Sequence, residues 1–300
     1  MPAVPASTPE QTARRHSLRV LSDTEVAILE AVALYALMSA DQVCRLFFSY
    51  PGSLRYAQDT LKRLYEQDGL LLRSFVPKTT IGGRARYTWR LSTAGRRFLN
   101  ARGIPVRERF RPSEQPEDRR FLEHTLACTD FLISAALLCR QEPHLSVTVR
   151  PEWQLKAKPV RVPDGASDRT VAVIPDGYLD FRNDTGQRLC LALEWDTGAE
   201  HRGKLVPKLR HLLAFARGPY QAYGAQLITI ALLTPIEPRA AQITTWLEQV
   251  LREAQAEDLA DAFRVAAGSP TATPPAQLFG APCWTVPLHR RQVALLEGLR

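Results

Sequence analysis

The chain has 300 residues, enough for two compact domains that each bury a core, and its 45% hydrophobic and 23% charged residues exclude the disordered and fibrous classes. Its net charge of +8 is confined to one segment: residues 1–110 hold 17 Lys and Arg against 9 Asp and Glu, and the remainder holds 22 of each. A field of that sign concentrates a polyanion near one end of the protein. Five scattered cysteines without a CxxC pair exclude a zinc ribbon and suit reduced thiols in a cytoplasmic protein. Residues 1–20, rich in Ala, Pro, Ser and Thr and lacking an apolar signal core, read as a disordered tail.

In chain order, Ser22-Asp23-Thr24-Glu25 is a capping box that opens a first helix through Val26, Leu29 and Val32 to Met38. Ser39 caps a short second helix over 40–48, which Pro51-Gly52 stops. Ser53 starts a third helix running to Asp68, with Gly69 at its C′ position. Leu70-Leu71-Leu72, the turn Ile81-Gly82-Gly83 and the alternating Arg86-Tyr87-Thr88-Trp89-Arg90-Leu91 predict a β-hairpin, and Ser92-Thr93-Ala94-Gly95 leads into a further helix. Three helices and a hairpin over 21–102 predict a winged helix-turn-helix that binds double-stranded DNA, and Leu91-Ser92-Thr93-Ala94-Gly95 resembles the strand-to-helix signature of such regulators.

The third helix then presents Arg55, Gln58 and Lys62 on one face with Arg63 beside them, donors and acceptors that match guanine and adenine edges. In the wing, Tyr87, Trp89 and Leu91 are expected to face the core. Arg86, Thr88 and Arg90 then face out, and Lys78 and Arg84 lie at the tip. The plain alternative is a solvated charged face on a protein-interaction module.

Residues 103–116, rich in Pro and charge, read as a linker to a second domain over 117–300. There a long helix over 117–141 precedes strands at 146–155, 171–181 and 188–196, the last two joined by the hairpin turn Asn183-Asp184-Thr185-Gly186. A helix over 202–217, a strand over 226–233, a helix over 238–256, a strand over 284–287 and a terminal helix follow, so the fold class is α+β with a mixed α/β sheet in the second domain. The longest apolar run, 131–139, is about half of what a spanning helix requires, so no membrane association is expected.

Ile174-Pro175-Asp176 leads one strand of the hairpin and Leu193-Glu194-Trp195-Asp196 ends the other. Residues i and i+2 of a strand share a face, so Glu194 and Asp196 project together and pairing brings Asp176 close. Converging carboxylates make a hard-oxygen site for magnesium or manganese that activates water against a phosphodiester. The alternative is a structural cluster in which Glu194 and Asp196 pair with Arg202, Lys204 or Arg210, with His124 a hydrogen-bonded core histidine and Trp195 a core residue.

The arrangement resembles the restriction-endonuclease-like PD-(D/E)XK fold, with Asp176 and Glu194 in its acidic positions. Asp196 stands where that motif has lysine, so the cation would come from Lys204 or Lys208 on the next helix. Glu123-His124-Thr125-Leu126, Ile174-Pro175-Asp176-Gly177 and Glu194-Trp195-Asp196-Thr197-Gly198, with Lys204 to Lys208 following, resemble the replication-relaxation family. That resemblance implies a winged-helix protein of a plasmid or mobile element with a nuclease-like second domain. Its expected partners are double-stranded DNA, replication or conjugation proteins, and a second copy of itself. Whether the acidic site works as an enzyme or the chain is a non-enzymatic transcriptional regulator stays open at this level.

Overall fold

The computed structural model describes residues 19–48, 50, 52–76, 86–107, 119–165 and 168–299. Helix α1 (Asp23–Tyr35) begins with the expected capping box, in which Ser22 and Glu25 exchange side-chain and backbone hydrogen bonds. Glu25 is buried and also receives Arg19 and Arg63, and these hydrogen bonds, Arg19 foremost, hold its carboxyl at about 2. The helix stops before Met38, because Met38 and Ser39 form a two-residue strand, β1 (Met38–Ser39). Ser39 then caps α2 (Ala40–Phe47) through a second box with Gln42. After a turn comes α3 (Ser53–Glu66), entered through Gly52 at φ +84°, and then strands β2 (Leu71–Val76) and β3 (Arg86–Leu91) and helix α4 (Thr93–Asn100).

The first sheet has the order β1-β3-β2. Its central strand corrects one expectation. Thr88 does not face out but is buried, because Ser39 pairs with it from one side and Ser74 from the other, while Tyr87 is largely exposed. The glycine of the strand-to-helix signature has a steric reason: a Cβ on Gly95 would lie 2.1 Å from the Leu70 carbonyl oxygen.

Helix α5 (Arg119–Gln141) leads into the second sheet. Its elements are β4 (Leu145–Pro151), α6 (Glu152–Leu155), β5 (Val160–Pro163), β6 (Thr170–Val173), β7 (Gly177–Asn183), β8 (Arg188–Trp195), α7 (Arg202–Ala216), β9 (Thr229–Thr234), α8 (Glu237–Glu253), β10 (Phe263–Ala267), α9 (Pro275–Gly280), β11 (Trp284–Thr285) and β12 (Gln292–Val293). Seven strands run in the order β12-β11-β10-β9-β8-β7-β4. Strand β7 is antiparallel to both neighbours and β8, β9 and β10 are mutually parallel. Strands β5 and β6 form a separate hairpin.

Several boundaries differ from expectation for local reasons. The strand expected over 146–155 ends at Pro151, where α6 begins. The strand expected over 171–181 is two strands, interrupted at Ile174-Pro175-Asp176. The expected terminal helix is instead β12 and a series of turns whose Leu295, Leu296 and Leu299 are buried.

One face of the sheet, with Leu179, Phe181, Leu191, Leu193 and Trp195, packs in the core that holds α5; the other, with Tyr178, Cys190, Ala192 and Leu232, packs in the core of α7 and α8. The α5 core continues into α1, α2 and α3, and polar contacts reinforce that junction. Gln42 donates to Leu126 O at 2.8 Å, Arg45 pairs with Asp130 at 2.8 Å, and Trp153 donates to Leu34 O at 2.7 Å. By length and composition α5 could cross a membrane, yet Phe131, Leu132, Ile133, Ala135 and Leu138 are all buried, so it is a core helix of this fold.

Candidate functional site

The site forms where β7 and β8 end together. The last ladder pair there is Gly177 opposite Leu193, so Asp176 and Glu194 are the next residues on the two strands. Side chains alternate along β8, so Glu194 shares the α7 face with Cys190 and Ala192, and Trp195 turns into the α5 core as expected. The break before β7 frees Asp176 from the ladder. Its Oδ2 accepts the Trp195 backbone N–H at 2.8 Å and lies 3.3 Å from His124 Nε2 of α5.

Of the two lysines offered by the sequence, the structure brings in Lys208, whose Nζ is 2.5 Å from Glu194 Oε2. Lys204, one turn earlier on α7, is exposed. Asp196 is buried beside Glu194 but turns to Arg239 of α8, which approaches Oδ2 through Nε at 2.7 Å and Oδ1 through its terminal nitrogen at 3.3 Å. The cluster with Arg202 or Arg210 does not form, since Arg202 bonds Gln249 and Arg210 bonds Glu253.

These placements separate the two carboxyl groups electrostatically. Burial would raise Asp176, but the charges of His124 and Lys208 and the hydrogen bonds from His124 and Trp195 N–H hold it down at about 2. Burial pushes Glu194 up, Lys208 pulls it down and Asp176 pushes it up again, leaving it at about 7. Lys208 is held charged, because Glu194 and Asp176 outweigh the burial that would lower it. Among the described residues no hydrogen bond reaches Asp176 Oδ1, and Glu194 Oε2 is buried without a partner in hydrogen-bonding geometry despite the nearby Lys208 ammonium. Two buried, adjacent carboxylates with one oxygen each left open fit a hard divalent cation.

On the basic end, Arg55, Gln58 and Lys62 are all exposed on α3, and Arg55 and Lys62 have only loose i,i+4 pairs with Asp59 and Glu66 at 3.9 and 3.8 Å. Arg63 is turned inward onto Glu25 at 3.0 Å. Arg90 is half-buried, and the backbone of Arg86 starts β3. Lys78 and Arg84 lie outside the described residues.

The model of the replication-relaxation family matches residues 29–229, about two thirds of the chain. The chain belongs to the replication-relaxation family. No curated protein and no solved structure matches it. The family match runs from α1 to the first residue of β9, so this replication-relaxation protein carries Arg55, Asp176, Glu194 and Lys208 inside the matched region and Arg239 outside it. Two site residues escaped the sequence reading. Cys128 sits one helical turn after His124, a spacing visible in the sequence, whereas Arg239 lies 43 residues after Asp196 and is brought to it only by the β8–β9–α8 crossover.

Proposed function

We propose that this replication-relaxation protein binds duplex DNA through residues 21–102, acting as a winged helix-turn-helix, and nicks it at a divalent-metal site formed by Asp176 and Glu194 with Lys208. The observation that carries the reading is the Lys208 ammonium seated on Glu194, itself beside Asp176 at the end of a mixed sheet. A lysine from α7 supplies the charge that the PD-(D/E)XK pattern places two residues after the second acid. The sheet, with helix α5 on one face and α7 and α8 on the other, supports the restriction-endonuclease-like reading of residues 117–300. The setting in which this acts is a plasmid or other mobile element in the cytoplasm, with a second copy of the chain and replication proteins as partners.

Asp176 and Glu194 would hold magnesium or manganese through their open oxygens. Such an ion polarises the phosphate and lowers the pKa of bound water. Lys208, held beside Glu194, would orient the attacking water and offset negative charge developing on the phosphate. Glu194 must be ionised to bind the cation, so the metal requirement is expected to ease as pH rises through about 7.

Supercoiled plasmid incubated with the full chain and manganese or magnesium should become open circular, and Glu194→Ala should lower that rate on the order of 10²-fold or more. No nicking, or nicking indifferent to Glu194→Ala, overturns the cleavage half of the reading. For the binding half, Arg55→Ala and Lys62→Ala should each weaken duplex binding, by about 1–3 kcal/mol if the side chain reads a base. A residue that touches only phosphate should instead flatten the salt dependence by about one unit of slope. Unchanged affinity in both variants, read by fluorescence anisotropy, removes α3 from the interface.

A second reading is favoured by one observation: both acids already have a protein cation, His124 on Asp176 and Lys208 on Glu194. A non-enzymatic regulator built this way would bind DNA equally with and without divalent metal.

A further inference from the structure

Against Asp176, with His124 also lining the pocket of Glu194 and Lys208, lies a second constellation. We propose that His124, Cys128 and Asp176 form a binding site for a transition-metal ion of the zinc class. The idea does not depend on DNA cleavage, although the two sites share Asp176.

The local sequence makes the pair. His124 and Cys128 are four residues apart on α5, so their side chains emerge one above the other on one helix face. Gly177 lets that face approach the sheet: a Cβ there would come within 2.9 Å of the Leu132 side chain, one turn further along α5. Asp176, immediately before Gly177, is thereby set against the pair.

The geometry is close to that of a ligand shell. His124 Nε2 is 3.3 Å from Asp176 Oδ2 and 3.9 Å from Cys128 Sγ, and all three ligand atoms lie within 4.8 Å of one another. Zinc bonds of about 2.3 Å to sulfur and about 2.0–2.1 Å to nitrogen and oxygen place tetrahedral ligands roughly 3.3–3.6 Å apart. The observed triangle therefore already has the nitrogen–oxygen edge of such a shell and needs to contract at sulfur, by roughly 0.3 Å toward His124 Nε2 and by at most about 1.2 Å toward Asp176. A cavity of about 30 Å³ adjoins the three side chains and is also lined by Tyr35, Glu152 and Trp153. That space suits one ion with a water as its fourth ligand. Among the described residues this is the one group of three or more His, Cys, Asp or Glu side chains with ligand atoms so close together.

Donor chemistry separates this site from the carboxylate pair. Thiolate and imidazole favour zinc, cobalt or copper over magnesium, whereas Asp176 and Glu194 offer oxygen alone. Its position also matters. Tyr35 ends α1 and Trp153 is bonded to Leu34 O, so an ion here would brace the junction between the basic N-terminal helices and the sheet end.

The test is a titration of the metal-free, full-length, reduced protein with cobalt(II). One equivalent should give the visible bands of four-coordinate cobalt and a thiolate-to-cobalt charge-transfer band in the near ultraviolet, both erased by one equivalent of zinc. Cys128→Ser, nearly isosteric, should abolish the charge-transfer band. His124→Ala should weaken binding on the order of 10²-fold or more, and Glu194→Ala should leave the spectrum in place. The proposal is overturned by a spectrum of loosely bound six-coordinate cobalt that Cys128→Ser does not change, or by the lack of a one-equivalent endpoint. Either result assigns His124 and Asp176 to a proton-held ion pair. Absence of nicking by the unsubstituted protein, with the cobalt spectrum intact, would refute the cleavage reading and leave this site standing.

Discussion

A Lys208→Met protein is expected to lose about 3 kcal/mol of unfolding free energy at about pH 9 and distinctly less at about pH 5, where only its interaction with ionised Asp176 remains to be lost. Glu194 is buried, with a side chain only 3% exposed, and its ammonium partner sits 2.5 Å away. Removing one member of a buried pair leaves the other charge uncompensated, which costs about 3–5 kcal/mol. The Lys208 side chain is 39% exposed, so water softens the loss and the lower end of that range applies. The pH dependence follows from Glu194, whose folded carboxyl titrates at about 7 against an ordinary 4.5. Between those values the folded protein binds more protons than the unfolded chain. Its contribution to stability is therefore fully present below the unfolded value and falls away as pH rises through the folded one. Without Lys208 the folded carboxyl titrates higher still and the decline extends further into the alkaline range. Urea denaturation of parent and variant across this range should give curves that draw together toward acid, without meeting while Asp176 is ionised, and part above neutrality. An equal deficit at both ends would mean that Lys208 supports the fold by packing or through Asp176, and not through Glu194. The same variant should also fail to nick DNA at alkaline pH under conditions where it remains folded.

Arg239→Ala is expected to destabilise the protein by about 3–5 kcal/mol. Here both partners are buried, at 9% and 8% side-chain exposure, so solvent offers little relief. The guanidinium contacts both Asp196 oxygens, donates to Glu200 O at 2.5 Å and lies over the Trp246 ring at 5.0 Å. After truncation, Asp196 would retain the Gly198 N–H at 3.1 Å as its side-chain donor among the described residues. Replacing both partners at once, as Asp196→Asn with Arg239→Met, should recover much of the loss, because the cost lies in an unpaired buried charge more than in the net value of the pair. Thermal or urea unfolding of the four proteins in the cycle gives the coupling directly. A coupling near zero would show that Asp196 stays charged and solvated without Arg239. This pair also bears on the acidic string itself: Asp196 is engaged by Arg239 and not by a lysine of α7.

Caps, turns and strand alternation were readable where they acted over a few residues, whereas the breaks at Pro151 and Ile174-Pro175-Asp176 were not. The Ser22–Glu25 capping box, the Ser39 cap, the helix entered at Ser53, the hairpin turn at Asn183 to Gly186 and the Trp195 core assignment depend on spacing within one element or between neighbours. Elements set by distant pairing were not. Strand β1 has two residues and exists because β3 accepts it, β10 is a strand because β9 lies beside it, and Thr88 is buried because two strands cover it. The region after Trp284 carries leucines that suit a helix, yet its edge pairs with β11 instead.

The same division holds at the site. The order of residues determined the family, the confinement of positive charge to the first third, and the three acids near one hairpin end, since all are properties of the linear string. Only the tertiary structure decided that Lys208 and not Lys204 reaches Glu194, that Arg239 takes Asp196, and that α5 brings His124 and Cys128 to Asp176. A charge finds its partner through the packing of helices that lie tens of residues apart in the chain, and no local pattern encodes which of two lysines one turn apart will face the sheet.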